Sequence, residues 1–223
     1  MGGFAEPWFP PVWRARSDGL LMIGGELTPD WLIYAYRRGI FPWPVVDDGV
    51  EILAWFCPDP RAVLDFGLLH VPRRLRRRIR GGQFRVTYNT AFSEVVAACA
   101  AIRSGAEGTW ITPRLAEAYH QLHLLGSAHS VEIWQDQAMV GGLYGVAVGG
   151  FFSGESMFHR ERDASKAAVV FLVNHLRERG FKLFDVQQSS PHLRQLGARL
   201  IDRDEFLRRL RSCVDLPVTF ASG

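Results

Sequence analysis

Two short apolar segments of the chain carry polar side chains that could perform acid–base or hydrogen-bonding chemistry. Residues 151–158 and 183–187 are both typical of buried strands, in which alternate side chains point to the same face of a sheet. The side chains that would share a face are Ser153, Glu155 and Met157 in the first segment and Leu183, Asp185 and Gln187 in the second. A buried carboxylate is costly unless it is paired or used, so the two acids together predict a shared polar cleft. The alternative is a purely structural ion pair for each acid, for example with Arg160 or Lys166.

The chain lacks the common signatures of cofactor and metal sites. It contains no G-x-x-x-x-G-K-[ST] loop, no G-x-G-x-x-G after a strand and no H-E-x-x-H helix. Its three cysteines, Cys57, Cys99 and Cys213, are far apart and form no C-x-x-C pair. The sequence therefore offers no familiar metal or cofactor motif, argues against a disulfide scaffold or a cysteine-rich zinc site, and favours a reducing compartment.

A basic segment near residue 75 could bind phosphate groups. Six of the eight residues from Arg73 to Arg80 are arginine, and Leu75 and Ile79 lie four apart, so a helix here would have one apolar edge. Guanidinium groups match phosphate oxygens bidentately, which favours nucleic-acid binding. The alternative is an ordinary solvated helix face in a chain whose basic residues are almost all arginine.

The order of predicted elements indicates the fold class. The pattern strand–strand–strand–helix–strand–helix over residues 130–197 predicts a mixed α+β domain. A turn at Pro58-Asp59-Pro60 coincides with a change in charge, because residues 1–62 carry a net charge of −3 and residues 63–223 one of +6. We therefore predict two domains, 1–62 and 63–223.

No segment is typical of a leader peptide or a membrane span. The N-terminus has no basic and apolar signal pattern. The longest uncharged run, residues 137–154, contains six glycines, which is more typical of strands and tight turns than of a lipid-facing helix. We expect a cytoplasmic protein with no membrane partner.

Eleven short strings along the chain resemble those of the bacterial leucyl/phenylalanyl-tRNA–protein transferases, in the family's order and spacing. They are GLLMIGGELTP (19–29), AYRRGIFPW (35–43), PDPRAVL (58–64), GTWIT (108–112), AYHQLH (118–123), HSVEIW (129–134), VGGLYGVA (140–147), GESMF (154–158), ASK (164–166), DVQ (185–187) and LGA (196–198). The resemblance implies a small N-terminal α/β domain and a C-terminal domain like the GNAT acyltransferases, with a mixed sheet.

The resemblance also implies an activity. Enzymes of this family move leucine or phenylalanine, and less well methionine, from the charged tRNA to the N-terminal Arg or Lys of a protein, which marks that protein for degradation by the N-end rule. The expected partners are therefore Leu-tRNA and Phe-tRNA, held through phosphates and the 3′-adenosine, and proteins or peptides with an N-terminal Arg or Lys. Because aminoacyl-tRNA is already an activated ester, the reaction requires no cofactor.

Site residues follow from the resemblance string by string. Asp185 and Gln187 would be the catalytic pair, and Glu155 would hold the acceptor or its amine. The remaining expected substrate-binding residues are Trp43 and Trp110 near the terminal adenosine, and Leu143, Phe152, Met157 and Val169 around the donor side chain. Relatives often have methionine at position 143, so Leu143 changes the shape of the pocket but keeps it apolar. We further expect Arg76, Arg77 and Arg80 to contact tRNA phosphates.

The mechanism is open between two hypotheses at this point. In one, Asp185 polarises the amide of Gln187, which accepts the proton of the attacking amine. In the other, the 2′-hydroxyl of the tRNA moves the proton and the pair only positions the amine.

Two other functions compete with this interpretation. The first is a CoA-dependent GNAT-type N-acetyltransferase, but the residues before the helix at 164, Arg160-Glu-Arg-Asp-Ala-Ser, lack the glycines of a pyrophosphate loop. The second is a non-enzymatic RNA-binding module, which leaves Glu155, Asp185 and Gln187 unexplained.

Overall fold

The computed structural model of the chain describes residues 6–47, 49–102 and 109–221. Its strands are β1 (Leu20–Ile23), β2 (Phe41–Pro42), β3 (Val45–Asp47), β4 (Val50–Ile52), β5 (Ala54–Phe56), β6 (Arg61–Val63), β7 (Arg85–Tyr88), β8 (Ala128–Gln135), β9 (Ala138–Val148), β10 (Phe151–His159), β11 (Leu183–Gln187) and β12 (Arg199–Ile201). Its helices are α1 (Pro29–Tyr36), α2 (Arg73–Arg80), α3 (Phe92–Ile102), α4 (Pro113–Leu124), α5 (Ala164–Glu178), α6 (Pro191–Gln195) and α7 (Arg203–Arg211). Gly108, the first residue of the GTWIT string, lies outside the described residues.

The first part of the chain folds around helix α1 and a three-stranded sheet of order β1-β5-β2. Thr28 caps α1 by accepting a hydrogen bond from the Trp31 N–H, and Pro29 occupies the first helical position. Pro42 lies in β2 at the edge of this sheet, where its missing N–H breaks no ladder bond. The prolines at 42 and 44 predict a loop throughout residues 41–44, and that prediction is wrong for the two residues of β2.

A seven-stranded mixed sheet forms the centre of the molecule. Its order is β12-β6-β11-β10-β9-β8-β7, and only the neighbours β10 and β11 run parallel. β8 and β9 form the hairpin that the sequence predicts around Asp136 and Gln137. The predicted α+β class with a mixed sheet is confirmed. The boundary that we predict after residue 62 falls inside β6, a strand of this large sheet.

Apolar cores lie on both sides of the large sheet. One core contains buried residues of α3, α4 and α7 together with Trp31, Leu32 and Tyr36 from α1. The other, which we call the second core, contains buried residues of α5 and Leu75 of α2. The first part of the chain is therefore packed into the same core as the second part, because α1 contacts α4 and β9 directly.

The glycine-rich run at 137–154 forms paired strands. A Cβ atom added to Gly145 would lie 2.2 Å from the Ser153 carbonyl oxygen and 2.5 Å from Cε1 of Phe152, so only glycine fits between β9 and β10 at this point. Within the described part of the chain, no helix combines the length and the apolar character needed to cross a bilayer.

Candidate active site

The candidate site lies where β10 and β11 stop pairing. Their parallel register runs from Phe151–Leu183 to Ser153–Asp185. Beyond that point both strands are irregular, since the register shifts between residues 154 and 156 of β10 and between 185 and 187 of β11. The two strands separate here around a cavity of about 380 Å³.

Most of the residues predicted for the site line this cavity. They are Trp43, Trp110, Leu143, Glu155, Met157, Val169 and Gln187. The structure therefore brings together side chains from loops of both parts of the chain, from three strands and from helix α5. Phe152 and Asp185 do not line the cavity.

A buried polar cluster forms one wall of the cavity. The side-chain amide nitrogen of Gln187 donates hydrogen bonds to Oγ of Ser153 (3.0 Å) and to Oε1 of Glu155 (2.9 Å). The Ser153 hydroxyl also donates to Oε1 of Glu155, at 2.8 Å. Both of these bonds use the amide nitrogen, so the carbonyl oxygen of Gln187 remains available to accept a hydrogen bond from a group in the cavity.

Two buried tyrosines, on helices α4 and α1, form a second set of hydrogen bonds at Glu155. The Tyr119 hydroxyl donates to Oε2 of Glu155 at 2.8 Å, and the hydroxyls of Tyr36 and Tyr119 are 2.9 Å apart. Burial raises the pKa of Glu155 to about 7, although the hydrogen bonds from Tyr119, Ser153 and Tyr36 act to lower it. The carboxyl group therefore changes its charge close to neutral pH. Sequence reasoning did not identify the two tyrosines, because their helices lie far away along the chain.

Asp185 forms a buried ion pair with Arg61 on the neighbouring strand β6. Nε of Arg61 donates to Oδ1 at 2.9 Å, and Nη2 donates to Oδ2 at 2.6 Å. The carboxylate contacts Gln187 only through the main chain, because the Gln187 N–H donates to Oδ1 at 2.9 Å. This corrects the expectation that Asp185 hydrogen-bonds the Gln187 side-chain amide; among the described residues, the acid that contacts that amide is Glu155.

The proposed partners of the acids, Arg160 and Lys166, contact other groups. Arg160 donates to the carbonyl oxygen of Met139, and Lys166 donates to the side chain of Gln195. Of the two acids, Asp185 is therefore the one that forms a structural ion pair, and its cation is Arg61. The only sequence signal for that pair is the PDPR string at 58–61, and it does not indicate which acid Arg61 meets.

The apolar wall of the cavity lies on the other face of the sheet. Leu143 of β9 is opposite Met157 of β10, and both pack with Val169 of α5 in the second core. The irregularity at 154–156 reverses the alternation of side chains along β10. The expectation that Met157 shares a face with Ser153 and Glu155 is therefore wrong.

Phe152 lies on the same face of β10 as Met157, because it pairs with Ala147 of β9 and Met157 pairs with Leu143, but it does not reach the cavity. It precedes the irregularity and is completely buried, with its ring centroid 5.9 Å from that of Phe184 and 5.6 Å from that of Phe220. The structure thus places Phe152 in the packing of the second core rather than on the cavity surface.

Two tryptophans complete the cavity. The rings of Trp43 and Trp110 stack with centroids 5.1 Å apart and an interplanar angle of 28°. Trp43 follows strand β2 and Trp110 precedes helix α4, so one ring comes from residues 1–62 and the other from residues 63–223.

Comparison with known proteins decides the family. Residues 63–211 match a family model described as leucyl/phenylalanyl-tRNA protein transferase, and residues 25–59 match the model of its N-terminal domain. The chain belongs to the leucyl/phenylalanyl-tRNA–protein transferase family. A protein of that name from Chromohalobacter salexigens is 53% identical over 213 residues, which cover 95% of this chain and 82% of the relative. The namesake from Pseudomonas aeruginosa is 51% identical over 95% of this chain and 93% of its own length.

Solved structures show weaker similarity. A GCN5-related N-acetyltransferase from Kribbella flavida aligns with 75% of this chain and 61% of its own length, with 12% identity and a TM-score of 0.41. The structure of L-PGS from Bacillus licheniformis aligns with 67% of this chain and 48% of its own length, with 12% identity and a TM-score of 0.43.

In this member of the transferase family, the arginine-rich segment forms helix α2 as the sequence predicts. Arg76, Arg77 and Arg80 have exposed side chains, whereas Arg78 forms an ion pair with Asp163 at 3.1 Å. Just before the helix, the His70 N–H donates to the carbonyl oxygen of Leu196. Leu196 follows α6, whose residues His192 and Leu193 line the cavity, so this bond joins the segment before α2 to the segment after α6.

Proposed function

We propose that this protein transfers leucine or phenylalanine, and less well methionine, from aminoacyl-tRNA to the N-terminal Arg or Lys of an acceptor protein. Membership of the transferase family supports the aminoacyl transfer. The observation that carries the proposal is a single cavity in which the Gln187 amide, held by Ser153 and Glu155, adjoins an apolar wall and a tryptophan pair. The product is an acceptor protein with one added N-terminal residue, joined by a peptide bond, and that residue marks it for N-end-rule degradation.

The reaction requires placement of its reactants more than it requires a strong base. The α-amino group of a peptide titrates near about 8, so a useful fraction is neutral at cellular pH. Its nitrogen attacks the ester carbonyl, the N–C bond forms, and the 3′-oxygen of the tRNA leaves with a proton. The carbonyl oxygen of Gln187 accepts a hydrogen bond from the amine and directs its lone pair at the ester.

The contacts favour positioning over an Asp185–Gln187 relay. Asp185 is neutralised by Arg61 and reaches Gln187 through the main-chain N–H, so it does not polarise the side-chain amide. Glu155 is the acid in contact with that amide, and its pKa of about 7 lets it exist in either charge state during turnover. The 2′-hydroxyl of the tRNA is then the group that carries the proton to the leaving oxygen.

The apolar wall accounts for the choice of donor. Leu143, Met157 and Val169 offer no hydrogen bonds to a polar side chain, so donors with polar side chains would lose their hydration without compensation. The thioether chain of Met157 adapts to different apolar shapes. Such pockets separate close apolar analogues by only about 1–3 kcal/mol per methylene, which fits a relaxed preference for leucine, phenylalanine and methionine.

Charge accounts for the choice of acceptor. Among the described residues that line the cavity, Glu155 is the one carboxylate. When ionised, it attracts the ammonium of the acceptor terminus and the cationic side chain of Arg or Lys. Arg76, Arg77 and Arg80 would hold the tRNA by its phosphates, without reading bases.

The test is a transfer assay with two charged tRNAs. Purified protein is mixed with Leu-tRNA or Phe-tRNA carrying a labelled amino acid and with a peptide that begins with Arg. We expect label in the peptide, and none in the same peptide with an acetylated terminus. If label stays on the tRNA in both cases while acetyl-CoA acetylates the free peptide, the function is that of an N-acetyltransferase instead.

A further inference from the structure

Arg61 is one of the most completely buried charged side chains in the described structure. Its side chain is 1% exposed, and its guanidinium lies between two aromatic rings, 4.7 Å from the centroid of Phe41 and 4.5 Å from that of Phe206. Nη1 donates to the carbonyl oxygen of Gly39 at 3.0 Å. Its other donors make the two bonds to Asp185. The guanidinium thus contacts the turn that follows α1, helix α7 and strand β11.

Asp185 links Arg61 to the main chain of Gln187 through hydrogen bonds to one carboxylate oxygen. Its Oδ1 atom accepts hydrogen bonds both from Arg61 and from the main-chain N–H of Gln187, each at 2.9 Å. Gln187 has a φ of +58°, a left-handed conformation that residues other than glycine rarely adopt. Such a conformation persists where the surrounding structure determines it, and the bond from the Gln187 N–H to Asp185 contributes here, beside the pairing of Gln187 with Ala62 of β6.

We propose that Arg61 is a positioning residue for the reaction and acts on Gln187 through Asp185. The guanidinium fixes the carboxylate, the carboxylate holds the left-handed backbone of Gln187, and that backbone aims the amide at Ser153, Glu155 and the cavity. The inference rests on the proposed function, since it explains how the amide that orients the amine is kept in place.

The shape of the guanidinium matters as much as its charge. Its planar fork makes two bonds to the carboxylate and donates a third bond to Gly39, and its central carbon lies over the rings of Phe41 and Phe206. A lysine ammonium carries the same charge but has neither the fork nor the flat faces. Lysine at position 61 would neutralise Asp185 without fixing the orientation of its carboxylate.

The first test is the Arg61→Lys variant in the transfer assay, with kcat and KM measured for Phe-tRNA and for the Arg-headed peptide. We expect kcat to fall by about tenfold or more, while KM for the tRNA changes by less than about twofold and circular dichroism shows a folded protein. The matched control is Arg209→Lys, since Arg209 forms ion pairs with Asp65 and Glu205 and has no hydrogen bond to Asp185 or Gln187. We expect its kcat to equal that of the wild type.

The result that would overturn the proposal is a wild-type kcat in Arg61→Lys, or a loss that lies entirely in KM. If Arg61→Lys does not fold, the double variant Arg61→Met with Asp185→Leu removes both buried charges at similar volume and leaves neither unpaired. We expect that double variant to fold with a strongly reduced kcat, because Gln187 loses its main-chain partner; a wild-type kcat would exclude the positioning role. An inactive wild type, by contrast, would refute the proposed function itself.

Discussion

Glu155 lines the cavity, and we propose that its charge affects how the acceptor binds there. Burial raises its pKa to about 7, so it is largely neutral in mildly acidic solution and ionised in mildly basic solution. If the ionised form attracts the cationic acceptor as we propose, kcat/KM for the peptide rises with pH through about 7. The measurement is a pH profile of the wild type and of Glu155→Gln, in which this inflection should disappear and leave only that of the amine near about 8. An unchanged profile in the variant would assign the inflection to another group.

The same carboxyl group affects stability with a definite sign. Its folded pKa lies above its ordinary value of 4.5, so its favourable contribution is complete below that value and is lost as pH rises through about 7. We therefore expect Glu155→Gln to be close to neutral for stability at about pH 5 and to stabilise the protein at about pH 8, by a free energy of the order of 3 kcal/mol. Urea unfolding at the two pH values measures the difference, and equal effects at both would show that the folded pKa is not raised.

Gln187 offers the most direct test of the chemistry. Replacing it with alanine removes the carbonyl that we propose orients the amine, and it changes neither the apolar wall nor the tryptophan pair. We expect kcat at saturating substrates to fall by about 10- to 100-fold, with little change in KM for the tRNA. A decrease of less than tenfold would mean that the amide has no part in bond formation.

At this scale the sequence predicts which polar residues matter better than what they contact. Alternation along two strands is enough to single out Glu155, Asp185 and Gln187. It does not identify Arg61 or Tyr119, since their positions opposite the acids depend on β6 and α4, which lie 124 residues from Asp185 and 36 residues from Glu155 along the chain. It also misplaces Met157, because an irregular strand reverses the alternation on which the prediction depends.

Among the elements, helix α2 carries the phosphate-binding hypothesis. Replacing Arg76, Arg77 and Arg80 together with glutamine should weaken tRNA binding and reduce the slope of log K against log salt, by up to about 0.9 for each phosphate that is no longer neutralised. Filter binding at several salt concentrations measures both quantities. A variant with Arg208 and Arg211 replaced on α7 removes two exposed arginines elsewhere and serves as the control. Equal salt slopes for the two variants would exclude α2 from tRNA binding.

Local signals predict most elements, and tertiary contacts decide the rest. Thr-Pro pairs at 28–29 and 112–113 mark the starts of α1 and α4, and both threonine side chains accept the expected capping hydrogen bond. By contrast, β2 and β12 are too short to show a periodic pattern and exist because they pair with β5 and β6. Local sequence patterns therefore do not predict these two edge strands.

The whole molecule is expected to unfold as one unit. Although a family model matches residues 25–59 separately, α1 packs in the same core as α3, α4 and α7, and Arg61 ties Gly39 to Asp185. Tryptophan fluorescence, which reports largely on the first part of the chain, and far-ultraviolet circular dichroism should therefore give superimposable urea transitions. Two separate transitions would show that the predicted domains, 1–62 and 63–223, fold independently. Charge and turns along the sequence mark a boundary, but they carry no information on a core shared across it.

The arrangement of the cavity walls on opposite faces of the sheet has a practical consequence. The polar cluster around Gln187 and the apolar wall of Leu143, Met157 and Val169 share no hydrogen bond within the described chain. A substitution such as Met157→Ala, which enlarges the space beside the apolar wall, should therefore allow transfer of bulkier artificial amino acids without changing the polar cluster around Gln187. The enzyme's selectivity and its catalytic power are in this sense separately adjustable, which would make it a tractable tool for labelling protein termini.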